Sequence, residues 1–139
     1  MAIKYNIIER KNILKPSEPA KFYASAKADG EISFKALAKE IAAAGSTVSD
    51  SDMLAVLNDL NKLLIKHLSE GKIVRFGDFG SFQVSVSSTG AETEAKFSSS
   101  NITGNKIQFR PGAELKAMLA TAKYEKIKIG GNGQSGNIN

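Results

Sequence analysis

Cysteine and tryptophan are absent from this chain, and histidine occurs once, at His67. Without cysteine there is no disulfide framework, no thiolate metal centre and no thiol nucleophile, a pattern that suits a reducing compartment. A single histidine late in an apolar helical stretch reads as a helix residue rather than a catalytic base. Paired carboxylates, metal-ligand spacings and a glycine-rich phosphate loop ending in Lys-Ser/Thr are all missing. The letters GDFG at 77–80 occur without any other kinase element. The expectation is therefore a protein that is not an enzyme, with no cofactor, no metal and no small-molecule substrate. Long hydrophobic runs are also lacking; none approaches the roughly 20 residues of a membrane helix. The opening MAIKYNIIERKNILKP scatters charge through its apolar residues, unlike the core of a signal peptide. A cytoplasmic protein with no membrane partner is expected.

What the chain does have is the composition of a globular protein, 42% hydrophobic and 24% charged over 139 residues, a length suited to one domain. Net charge is +5 with a sequence pI near 9.4. The excess is uneven: residues 1–27 carry +4, 28–70 carry −3, and 71–110 and 111–139 carry +2 each. A mild basic balance favours polyanions, though weakly.

Residues 3–10 contain β-branched and aromatic residues in imperfect alternation and predict a strand. Two prolines between Asn12 and Pro19 predict a connector, Lys21 to Ala28 a second extended piece, and Asp29-Gly30 a turn. Ser33 is placed as an N-cap for a helix presenting Phe34, Leu37, Ala38 and Ile41, stopped by Gly45. A second helix starts at Ser49, with Asp50 and Asp52 complementing its dipole, and runs to Gly71. Its apolar stripe, built on Met53, Leu57, Leu60, Leu64 and Leu68, is broadened by Leu54, Val56, Leu63 and Ile65. One short neighbouring helix cannot cover a stripe that wide, so burial on two sides is expected, one of them against another chain. Strands follow at 72–76, 81–87 and 106–109, then a helix over 113–123. Residues 88–105 are small and polar, with AETEAKF at 91–97 reading as a helical turn or cap and Phe97 and Ile102 as anchors or exposed wedges. Residues 126–129 form a terminal strand or nothing, and GGNGQSGNIN reads as a disordered tail.

The stretch GKIVRFGDFGSF, residues 71–82, interleaves Phe76, Phe79 and Phe82 with Gly77 and Gly80. Gly77-Asp78 predicts a tight turn, Gly80 a sharp bend or close packing, and the phenylalanines a compact aromatic core beneath them. Led by Leu68, this stretch resembles the "L-x-x-G-x-x-V-x-(L/F)-x-G-F-G-x-F" signature of the bacterial HU/IHF histone-like DNA-binding proteins, with Asp78 where the family often has Gly. Phe109 to Lys116, FRPGAELK, resembles the family's closing "F-x-(P/A)-G-x-x-L-(K/R)" segment. The resemblance covers about residues 31–122, and the extra N-terminal strand resembles the longer HU-like proteins of Bacteroidetes.

The resemblance implies an α+β fold: a helical dimer base with a small antiparallel β-sheet, forming a homodimeric saddle over double-stranded DNA. Domain boundaries follow as a strand-and-connector extension at 1–30, the HU/IHF-like domain at 31–123 and a C-terminal segment at 124–139. The implied function is non-sequence-specific DNA binding by a nucleoid-associated protein. The family's arms are rich in Arg and Lys and end in a proline wedge. Here Ser85 to Gln108 has only Lys96 and Lys106 against Glu92 and Glu94, and no proline. The arm is expected to be modified or shortened, with phosphate contacts dominating and little wedge bending. Candidate DNA-binding residues are Lys72, Arg75, Lys96, Lys106, Arg110 and Lys116. Further cations stand at Lys123 and in the N-terminal segment, at Lys4, Arg10, Lys11, Lys15, Lys21 and Lys27. The alternative is an HU-fold structural or protein-interaction module that has lost most of its DNA affinity, in which an exposed N-terminal strand extends a neighbouring sheet.

Overall fold

The computed structural model describes residues 1–45 and 47–127. The expected GGNGQSGNIN tail lies outside the described residues. In chain order the elements are β1 (Ile3–Arg10), β2 (Lys21–Lys27), α1 (Phe34–Ala43), α2 (Asp50–Ser69), β3 (Val74–Arg75), β4 (Gly80–Ser88), β5 (Ile102–Pro111), α3 (Ala113–Ala120) and β6 (Tyr124–Lys126). Length alone suggested one domain. The chain instead divides into two compact units, Met1–Glu31 with the segment from Thr121 onward, and Ile32–Ala120.

The first unit is a three-stranded sheet in the order β2-β1-β6. β1 pairs antiparallel with β2, from Lys4 opposite Lys27 to Arg10 opposite Lys21. β6 joins the other side of β1 in parallel, Ile3 opposite Tyr124. The terminal strand thus spans residues 124–126, meeting the expected 126–129 only at Lys126. Because β1 is central, the sheet edges are β2 and β6; the expectation of an exposed N-terminal edge strand is corrected. Side chains alternate across a strand and face their cross-strand partners. One face therefore carries Ile3, Tyr5, Ile7, Phe22, Ala24, Ala26 and Tyr124, and the other most of the cations.

The second unit holds the α+β architecture expected. Ser33 Oγ accepts from Ala36 N at 3.1 Å and Ser49 Oγ from Asp52 N at 3.1 Å, so both helices start at their foreseen caps; such a cap is worth about 1 kcal/mol. Gly45 and Gly71, at φ +96° and +79°, follow their ends. α1 packs on α2, yet among the described residues only two hydrophobic side chains are buried, Ala38 on α1 and Leu68 on α2. Val56, Leu63 and Ile65 on α2 remain 57%, 52% and 61% exposed. The stripe is as wide as the sequence foretold and one chain does not cover it.

The sheet of this unit runs β3-β4-β5, antiparallel throughout. β5 is a ten-residue strand, not the four-residue KIQF of the sequence reading. Its first four residues, ITGN, hold Ile102 as their one large apolar side chain and carry no apolar alternation; pairing with β4 makes them strand. α3 ends at Ala120 rather than Lys123.

Gly77 to Phe79 form a single 3-10 turn, entered by Gly77 at φ +53°. Phe76 N donates to Gly80 O at 2.8 Å, and Gly112 N to Phe79 O at 3.0 Å. At Gly80, with φ +142°, a Cβ would collide with the Arg110 carbonyl and lie 2.8 Å from the Phe109 ring. At Gly112 a Cβ would overlap the Asp78 backbone. The two motifs thus lock together through bare backbone. Around them Phe76, Phe79, Phe82 and Phe109 form a chain of tilted rings, with centroids 4.9–5.7 Å apart. The cluster is real but open: Phe79 and Phe109 are 53% and 42% exposed.

Candidate nucleic-acid interface

Strict alternation sorts the β3-β4-β5 sheet into two chemically distinct faces. Val74, Phe82 and Phe109 form one row, with Val84 opposite Ile107 and Val86 further along the same face. On the other face Arg75, Ser81 and Arg110 lie side by side across all three strands. Gln83 opposite Gln108 follows, then Ser85 opposite Lys106. Outer strands of a three-stranded sheet lie about 10 Å apart, so two guanidinium-bearing positions flank one serine. A hollow of about 230 Å³ opens there, lined by Arg75, Ser81, Arg110, Pro111 and the glycines Gly77, Gly80 and Gly112. The glycines that lock the turn also leave the backbone bare beside the arginines.

Neither arginine, nor Lys106, has a carboxylate partner among the described residues. Three unpaired cations with amides and hydroxyls between them make a surface fit for phosphate oxygens and groove edges.

The other expected site residues stand elsewhere. Lys72 is held by Glu70 at 2.6 Å. That contact, first through its hydrogen bond and then through the charge, keeps the Glu70 carboxyl below its ordinary range. Lys96 pairs with Glu92 at 3.1 Å in the loop between β4 and β5. Lys116 lies on α3, in neither sheet. The structure therefore unites Arg75, Lys106 and Arg110 and leaves Lys72, Lys96 and Lys116 apart. Ser81, Gln83 and Gln108 share this face and were not among the expected candidates. Alternation in FQVSVS had marked the wet face of β4, but which residues of β3 and β5 share it is set by register.

The β4–β5 ribbon pairs from Gly80–Pro111 out to Ser88–Ile102, with an irregularity at Ser87/Ser88. Its tip is closed by polar contacts. Thr89 N donates to Asn101 O at 2.9 Å and Asn101 Nδ2 to Thr89 Oγ1 at 3.2 Å. Two 3-10 turns, Glu94–Lys96 and Ser99–Asn101, fill the loop, as the Ala/Glu content of AETEAKF suggested. Phe97 and Ile102 are 42% and 43% exposed, so they do not serve as buried anchors; hydrogen bonds hold the tip instead.

Among the described residues no group of three or more metal-ligating side chains is placed to hold an ion, and no helix is long and apolar enough to cross a membrane.

A family model described as "HU domain fused to wHTH, Ig, or Glycine-rich motif" matches residues 1–126. No curated protein matches the chain. Among solved structures, a "putative bacterial DNA binding protein" from Bacteroides vulgatus superposes with a TM-score of 0.61 at 9% identity. The match takes in 91% of this chain and 48% of that one, so the chain spans about half the length of that relative. At that identity the likeness is one of fold.

Proposed function

The chain belongs to the HU-HIG family, whose members carry an HU domain, and from that we propose that it is a nucleoid-associated protein binding double-stranded DNA without sequence specificity. The observation that carries this reading is the Arg75–Ser81–Arg110 row, in which two exposed arginines without carboxylate partners among the described residues flank a half-buried serine on the polar sheet face. Arg75, Arg110 and Lys106 contact phosphates, and Gln83, Gln108 and Ser81 fill the space between them. Lys116 adds peripheral charge, while Lys72 and Lys96, paired with Glu70 and Glu92, contribute less. Binding proceeds by phosphate neutralisation and counterion release. Bending is slight, because the outer ribbon from Ser85 to Gln108 has no proline and Glu92 neutralises Lys96.

The working form is a homodimer. The uncovered stripe of Val56, Leu63 and Ile65 and the half-open phenylalanine cluster support it, since soluble proteins rarely leave so large an apolar surface in water. Within the chain, residues 31–123 are the DNA-binding domain, 1–30 an extension of the kind found in the longer HU-like proteins of Bacteroidetes, and 124–139 a C-terminal segment. The nucleoid is its place in the cell.

The deciding experiment is fluorescence anisotropy of a random-sequence duplex, titrated with protein at several salt concentrations. Three phosphate contacts on each of two protomers give a slope of log affinity against log salt of about −5. Absence of binding at low salt would sink the reading and favour the alternative, an HU-fold interaction module.

A further inference from the structure

The first unit carries cations of its own, and their register is informative. On one face of the β2-β1-β6 sheet, Lys4 stands opposite Lys27 and Arg10 opposite Lys21. Like charges directly across a ladder destabilise it, yet this face has two such rows. At one end the repulsion is relieved: Lys4 pairs with Asp29 at 3.1 Å, and Glu125 stands beside Lys4 on β6. At the other end it is not. Arg10 and Lys21 have no carboxylate partner among the described residues, and Glu9, opposite Phe22, belongs to the other face.

That uncompensated end is also concave. A cleft of about 400 Å³ is lined by Arg10, Lys11, Asn12, Ile13 and Tyr23. Tyr23 is on the cationic face, paired with Ile8 one row in from Lys21. Asn12 Oδ1 accepts from Leu14 N at 3.0 Å, which fixes the amide and leaves its NH2 group as a donor. The nearby acid of the connector, Glu18, is taken by Lys15 at 3.4 Å. The cleft's lining thus offers a guanidinium, an ammonium group, an amide and a phenol, with no acceptor charge of its own, and Lys21 stands beside it, opposite Arg10.

We propose that this cleft is a second contact for the phosphodiester backbone of nucleic acid, separate from the β3-β4-β5 face. An anion seated between Arg10 and Lys21 removes the repulsion that the fold leaves standing, and Tyr23 gives a sugar or base a flat surface. The inference takes the identity of its ligand from the function proposed above, but not its residues.

The test is duplex anisotropy on the full chain at several salt concentrations, comparing three variants. Lys21→Glu removes two units of charge beside the cleft, opposite Arg10. Lys35→Gln with Lys39→Gln removes two units on α1, outside both surfaces. Arg75→Gln with Arg110→Gln removes two on the other sheet. Lys21→Glu is expected to weaken binding about tenfold and to flatten the salt slope by one to two units per protomer. The α1 control changes affinity less than about twofold. Lys21→Glu also replaces a like-charge pair by an attractive one, so its urea midpoint rises or holds, which separates lost contact from lost fold. A Lys21→Glu affinity equal to the α1 control overturns the cleft, whatever the arginine variant does; absence of any wild-type binding overturns it too. If only the arginine variant matches the control, the cleft stands and the assignment of the Arg75–Arg110 face fails.

Discussion

The two three-stranded sheets of this protein solve the same packing problem with different amounts of backbone constraint. In β3-β4-β5 the strands approach through glycine: Gly80 and Gly112 sit where a Cβ would strike the Arg110 carbonyl, the Phe109 ring or the Asp78 backbone. In β2-β1-β6 the ladder has no glycine, and Ala24 and Ala26 face an apolar hollow of about 420 Å³. The first sheet is locked by a turn and shares its polar face between arginines, glutamines and serines. The second is an open ladder with most of its cations crowded on one face, beside Tyr23, and most of its rings on the other. Close backbone contact makes a site rigid and intolerant of change; an open ladder tolerates change and depends on charge.

The sharpest way to break this contrast is at the glycines. Gly80→Val combines a disfavoured φ with a backbone collision, and should cost about 3 kcal/mol or more, read as a fall in urea midpoint. Ala24→Val on β2, exposed and in a β-favouring setting, should stay within about 0.5 kcal/mol. Equal costs would erase the distinction between the sheets.

Next in size is assembly. Val56→Asp with Leu63→Asp puts two charges on the uncovered face of α2, and sedimentation equilibrium should move from a dimer to a species of 14.8 kDa. A wild-type protein already monomeric at micromolar concentration would remove the partner from the account.

Arg75→Gln with Arg110→Gln should lower duplex affinity roughly 10- to 100-fold at moderate salt and reduce the salt slope by about two per protomer. Urea stability should hold, since neither side chain has an ion-pair partner to lose among the described residues.

The smallest effect sits just before the glycine turn. Glu70 is held below its ordinary value of 4.5, chiefly by Lys72. A carboxyl depressed in the folded state adds stability above its unfolded pKa and loses it as pH falls through the folded value. Lys72→Met should therefore lower the urea midpoint slightly at neutral pH. The difference should vanish once acid has protonated Glu70 in both proteins. The pair is exposed, so salt should shrink the difference as well.

Local signals made most of the fold legible. Caps at Ser33 and Ser49, stops at Gly45 and Gly71, and the alternation of FQVSVS each arise within a few residues and were read from them. The glycines of 71–82 announced close approach, though not that Gly112, some thirty residues on, would be the partner. What sequence left dark depends on pairing. ITGN at 102–105 becomes strand only because β4 lies beside it, and β1 is central only because β6 returns to it. The candidate site divides the same way. Arg75 and Arg110 were recognisable from their motifs, while Ser81 and Gln108 join them by register alone. Lys72 and Lys96 looked equivalent to them until their carboxylate partners appeared.

The parallel pairing of β1 with β6 has a consequence for how the protein comes into being. Ile3 N donates to Lys123 O and Ile127 N to Tyr5 O, both at 2.8 Å, so β6 is stitched to β1 at both ends. The hairpin of β1 and β2 closes a short loop and can form as soon as it leaves the ribosome. Its other flank must wait for about 100 more residues, which at ordinary translation rates is on the order of ten seconds. For that interval β1 presents a bare row of amides and carbonyls to its neighbours on the polysome. Its charges, Lys4, Glu9 and Arg10, are then a guard against nascent chains zipping together before β6 arrives.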